Sequence, residues 1–195
     1  MGNSKAYPVH RTPDRFEAYG RARQLWALLA WHDDEVELGA EMTTVDDFRR
    51  MVALLPDGRY DHVSMREDPE TGECLWFDLD VRAAADTDIA EELPLYVCQR
   101  VPTGLEEDFV RALGRGPASI CWEGRWPDEP EAGSFGVRKY DGVQVVFNSD
   151  RADWDRTADF HTVYVHVTKF GDLGRAQRLA AAIGGAVLGE AELGW

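Results

Sequence analysis

The sequence predicts an α+β fold. An N-terminal helix is followed by strand-helix-strand units and hairpins that form a largely antiparallel sheet, with helices packed on one face. Three observations carry that prediction. Apolar residues alternate over short runs such as "HTVYVHV" and recur at helical spacing in runs such as "DDFRRMVALL". The order strand, capped helix, strand is readable at three places. The connecting segments are too short and too mixed in composition for disordered linkers, so residues 1–195 read as a single domain.

The elements follow in order. Thr12 can cap the first helix, Pro13 suits its first position, and Asp14 favours its positive end. Phe16, Tyr19, Arg23, Trp26 and Ala30 form its stripe, with Leu25, Leu28 and Leu29 beside it, and "HDDE" ends it. The first strand-helix-strand unit is "VELGAEMTTVDDFRRMVALLPDGRYDHVSMR", whose helix opens on the capping-box pattern Thr44-x-x-Asp47 and buries Phe48, Met51, Val52 and Leu55. The second is "LYVCQRVPTGLEEDFVRALGRGPASICWEGRW", with Thr103-x-x-Glu106 as its box and Leu105, Phe109, Ala112 and Leu113 as its apolar face. The third follows "HTVYVHVTKFGD", with Asp172 as cap and Gly184-Gly185 as stop. Between the units, "CLWFDLDVR" reads as a strand, and Asp141-Gly142 reads as a hairpin turn between two alternating runs. Segments 83–93, 127–134 and 150–159 read as surface connections.

Composition narrows the function. The chain carries 36 acidic against 21 basic residues, a net charge of −15. Such a field repels nucleic acid and anionic membrane surfaces and attracts a basic protein. No run of about 18 apolar residues is present, and the start has no apolar signal-peptide core, so a cytoplasmic location is expected. The Met-Gly start lacks the Ser or Thr of a myristoylation signal, since position 6 is alanine. Cys74, Cys98 and Cys121 lie in predicted strands at wide spacing and read as buried or half-buried free thiols. No phosphate-binding loop, dinucleotide fingerprint or H-E-x-x-H is present, and His161 and His166 fall on opposite sides of one strand, so neither cofactor nor metal is expected.

The stretch "RYDHVSMREDPETGECLWFDLDVR" raises the functional question. Alternation sends Val63 and Met65 one way, and Tyr60, His62, Ser64 and Arg66 the other. Leu75, Phe77, Leu79 and Val81 point to the core, and Cys74, Trp76, Asp78 and Asp80 point away. A hairpin pairing Glu67 with Glu73 sets Ser64 opposite Trp76 and His62 opposite Asp78. Tyr60, His62, Trp76, Asp78 and Asp80 are then the expected partner-binding residues, because exposed aromatic and charged side chains form interface hot spots.

Two readings compete for that face. "HVSM" at 62–65 and "HVTK" at 166–169 resemble the paired His-x-Ser/Thr motifs of the 2H phosphoesterases. The resemblance implies an acid-base pair of His62 and His166, with Ser64 and Thr168 anchoring one phosphoryl group. The other reading assigns no catalytic residue. An acidic α+β chain, with Trp26, Trp31 and Trp122 placed in its core and Trp76, Trp126, Trp154 and Trp195 hard to bury by pattern, resembles the general character of bacterial immunity proteins. It is expected to neutralise a basic partner such as a toxin or nuclease. A small-molecule pocket between sheet and helices is a further alternative.

Overall fold

The chain, a computed structural model describing residues 3–195, runs β1 (Lys5–Thr12), α1 (Arg15–Trp26), β2 (Trp31–His32), β3 (Glu35–Met42), α2 (Val45–Leu54), β4 (Tyr60–His62), β5 (Arg66–Glu67), β6 (Cys74–Leu75), α3 (Asp86–Glu92), β7 (Leu95–Pro102), α4 (Glu106–Ala112), β8 (Ala118–Arg125), β9 (Gly142–Phe147), β10 (His161–Val167), α5 (Leu173–Ala182) and β11 (Glu192–Leu193). The Met1-Gly2 start lies outside the described residues.

The main sheet has the order β11-β1-β10-β9-β8-β3-β7-β4, with β2 pairing beside β8. Every pair is antiparallel. Each of the three predicted strand-helix-strand units is present, and each straddles one antiparallel strand. β3-α2-β4 spans β7, β7-α4-β8 spans β3, and β10-α5-β11 spans β1. Those are split βαβ units.

The order has an internal logic. β3-α2-β4-β7-α4-β8 is a βαββαβ unit whose strands lie in the spatial order fourth, first, third, second. β1-α1-β9-β10-α5-β11 has the same connectivity and the same order, with the first unit inserted between α1 and β9. Two ferredoxin-like arrangements therefore share one sheet, joined where β8 pairs with β9.

One alternation of each long strand meets the helices. Leu38, Val97, Ile120, Val145 and Val163 are buried against Phe48 of α2, Ile89 of α3, Phe109 of α4, Ala22 of α1 and Ala176 of α5, so the helices cover one face. Thr44 caps α2 by accepting from Asp47 N–H, and Asp172 caps α5 by accepting from Arg175 N–H, as the sequence predicts.

Several expectations are corrected. A strand, β1, precedes the first helix, and Asp14 caps α1 by accepting from the N–H groups of Phe16 and Glu17. The buried stripe of α1 is Ala18, Ala22 and Leu25, because small side chains let it lie close on β9 and β10, while Phe16 is 47% exposed. At α4 the box fails: Thr103 makes no cap, and the buried Glu106 carboxylate accepts from Gly104 N–H and from the Trp122 indole. Asp141-Gly142 is no hairpin tip. Asp141 is buried, and its carboxylate accepts from Trp126 and Val137 N–H groups. Trp126 is fully buried, donating to His166 carbonyl, and Trp31 lies in β2 rather than in the first helix. Of the cysteines, only Cys121 is buried; Cys74 and Cys98 are exposed, and all three are free thiols.

Candidate partner-binding face

The hairpin that held the predicted site is not part of the main sheet. β5 and β6 form a separate two-stranded ribbon with Arg66 opposite Leu75 and Glu67 opposite Cys74, one step from the expected register. After Leu75 the chain leaves strand geometry, yet Phe77, Leu79 and Val81 are partly buried against the core and Trp76, Asp78 and Asp80 are exposed. Leu75, expected inside, is 45% exposed.

β4 has the opposite orientation from the expected one. Tyr60 pairs with Val97 and His62 with Leu95, so both point to the helix-covered core. Each polar tip finds a partner inside: Tyr60 Oη donates to Leu55 carbonyl at 3.0 Å, and His62 Nε2 lies 2.6 Å from Glu92 of α3. Those bonds make burial tolerable for two residues that alternation alone sends outward. Tyr60 and His62 are therefore buried on the helix side, and of the five expected partner residues Trp76, Asp78 and Asp80 are on the surface.

The same geometry separates the two histidine motifs. His166 pairs with Gly142 on β9 and Ala6 on β1, on the face away from the helices. His62 points to the helix side of β4, five strands from β10, a lateral distance on the order of 24 Å at ~4.8 Å per strand. Ser64 is exposed beyond β4, and Thr168 accepts from Phe170 N–H in the turn after β10. His62 and His166 cannot serve one phosphate. His166 is also fully buried: Gln144 turns its Nε2 to Ala152 carbonyl, so its Oε1 accepts from His166 Nε2–H, and His166 Nδ1 accepts from Ser4 Oγ. Burial pulls its pKa down to about 3, so it is a neutral structural imidazole.

The face away from the helices carries a feature the motif reading passed over. "EVELGAE" sends Glu35, Glu37, Gly39 and Glu41 to one side of β3, a central strand. Because Gly39 has no side chain, the Trp154 indole lies directly on it: a Cβ there would meet Cζ2 and Cη2 at 2.9 Å. Glu37 and Glu41 stand one side-chain step on either side of that ring.

Neither Glu37 nor Glu41 has an ion-pair partner among the described residues. The nearest cation in register, Arg100, is committed to Asp33, Glu35 and Glu123. Arg156, beyond Trp154, pairs with Asp150. Burial raises the pKa of Glu41.

Trp154 divides this face into two recesses. On the Glu41 side a wide groove of about 790 Å³ is lined by Glu41, Val63, Tyr96, Pro117, Trp154 and Arg156, among others. Its far wall adjoins the β5–β6 ribbon, where Val63, Met65, Leu75 and Trp76 are exposed, Trp76 by 67% and Met65 by 78%. Residues 66–92 carry ten carboxylates against two arginines, so these apolar side chains sit on a strongly acidic lobe. On the Glu37 side a cleft of about 200 Å³ lies between Trp154 and Trp195.

Among the described residues no three His, Cys, Asp or Glu side chains converge as a metal requires, and no helix is long and apolar enough to cross a membrane. No family model, curated protein or solved structure matches the chain.

Proposed function

We propose that this chain is an acidic protein-binding domain whose open sheet face grips a basic partner, in the manner of an immunity or inhibitor protein that neutralises a toxin or nuclease. The observation that carries this reading is the pair Glu37 and Glu41, half-buried on a central strand beside Trp154 and without an internal cation. Partly desolvated carboxylates interact strongly with a cation brought to them, because the local dielectric is below that of water. The ribbon adds an apolar anchor: Met65, Leu75 and Trp76 are exposed together in an acidic surround, the composition of a hot spot with a charged rim.

Affinity capture on the immobilised chain, with mass spectrometry of what elutes between about 0.05 and 0.5 M salt, tests the reading. That change shortens the screening length from roughly 14 to 4 Å. The reading requires a basic protein that elutes as salt rises. An acidic partner, or retention indifferent to salt, contradicts it.

A further inference from the structure

We infer that the cleft between Trp154 and Trp195 is a pocket for one cationic side chain, an arginine or lysine of the partner, held between the two indoles and the carboxylates of Glu37 and Asp153. The inference rests on the reading of this face as the binding surface and specifies the chemistry of one position on it.

Size sets the first limit. At about 200 Å³ the cleft is below the roughly 300–1,000 Å³ of pockets that take drug-sized molecules, and suits the head of one side chain. Two of its walls are aromatic, and each is packed against the fold. Trp154 is seated on Gly39, and Trp195 is stacked on His166 with ring centroids 3.5 Å apart and planes 14° from parallel. The C-terminal segment that carries Trp195 is tied to the start of the chain, with Ser4 N–H donating to Trp195 carbonyl and Gly194 N–H to Ser4 carbonyl. Rings already ordered before binding lose little entropy when a ligand enters.

Charge sets the second limit. Among the described residues, Glu37 lines the cleft without an ion-pair partner, and Asp153 meets only Arg151, at 3.8 Å. The remaining polar lining, Ser119 and Gln144, is uncharged. His166, the one basic side chain in the lining, stays neutral because burial holds its pKa near 3, so the lining itself carries no positive charge. Two indoles with carboxylates close by are the elements of an aromatic cation site.

The test uses the full-length ¹⁵N-labelled chain, following the indole N–H signals of Trp154 and Trp195 by NMR at constant ionic strength. The probes are N-acetyl-arginine amide, N-acetyl-lysine amide and the neutral N-acetyl-glutamine amide. Both indole signals should move with at least one cationic probe and not with the neutral one. Glu37→Gln should weaken that binding by at least about fivefold, whereas Asp46→Asn, in the first turn of α2 on the helix-covered side of the sheet, should leave it within about twofold.

Indoles that ignore both cations, or respond equally to the glutamine amide, overturn the inference; the wild-type comparison decides this even if a variant folds poorly. Its failure is separable from that of the wider reading. Loss of the cleft response with a basic partner still captured defeats only the pocket. A cleft that takes cations in a chain that captures no basic protein defeats the immunity-type reading instead.

Discussion

The Trp154 indole rests on the backbone of Gly39, at a distance where an added methyl group would meet the ring at 2.9 Å. The atoms it would meet are at the far end of a side chain, so the ring can move while β3 stays in place. Gly39→Ala should leave the fold intact, with Tm within a few degrees of wild type, and should shift Trp154 fluorescence as the indole lifts. Partner affinity should fall about tenfold, because the wall shared by both recesses is displaced. Unchanged fluorescence and unchanged affinity would show that the seat of Trp154 is immaterial.

Trp76 should behave as a binding residue with no structural duty. It is 67% exposed on the β5–β6 ribbon, so Trp76→Ala should change stability by no more than about 0.5 kcal/mol, as surface substitutions do. At a hot spot the same change costs about 2 kcal/mol or more of binding. Calorimetric binding beside a thermal melt separates the two effects.

Core aromatics set a contrast. Phe48 is fully buried and packs edge-on against Tyr60 and Phe77, at 5.2 and 6.2 Å between centroids. Phe48→Ala should cost about 3–5 kcal/mol. Phe77 is only partly buried, so Phe77→Ala should cost less, about 1–2 kcal/mol, by the fraction of its apolar surface removed from water. Denaturant titration of both variants checks the order, and equal losses would contradict the packing described.

Two buried groups give opposite pH dependences. His166 has a folded pKa of about 3 against 6.5 for an ordinary imidazole, so the folded form binds fewer protons between those values. Its contribution to stability is whole above pH ~6.5 and is lost as pH falls, at about 1.4 kcal/mol per pH unit. Asp141 is raised to about 6 from 3.8 by burial, so its contribution is present below pH ~4 and is lost as pH rises toward 6. Urea titrations from pH 4 to 6 should show the gap between wild type and His166→Gln widening with pH, and the gap between wild type and Asp141→Asn changing in the opposite direction. Parallel curves would show that neither group titrates as its burial requires.

Much of the architecture was legible because local signals agree with the fold. Thr44 and Asp172 cap the helices they precede, and the apolar residues Phe48, Met51, Val52 and Leu55 are all buried. Other residues defeated the pattern for physical reasons. Tyr60 and His62 are polar at the tip, but Tyr60 Oη finds Leu55 carbonyl and His62 Nε2 finds Glu92 inside, which alternation cannot foresee. Ala18 and Ala22 outrank Phe16 and Tyr19 on α1 because close approach to the sheet favours small side chains, and that depends on a neighbour absent from the local sequence. The acidic row was readable in "EVELGAE" as a period-two pattern of carboxylates. Its meaning depends on Trp154, which arrives from over a hundred residues away and lies on the glycine in the middle of the row.

The most direct test of the binding face is the dissociation constant of the captured partner for wild type and for the Glu37→Gln/Glu41→Gln double variant, measured at about 0.1 M salt with a thermal melt of each chain alongside. If these two partly desolvated carboxylates meet cations of the partner, removing both charges should weaken binding by about a hundredfold or more while leaving Tm unchanged or raised, since neither has an ion-pair partner to lose among the described residues. An affinity within about twofold of wild type, in a variant that melts normally, would contradict the assignment of this face.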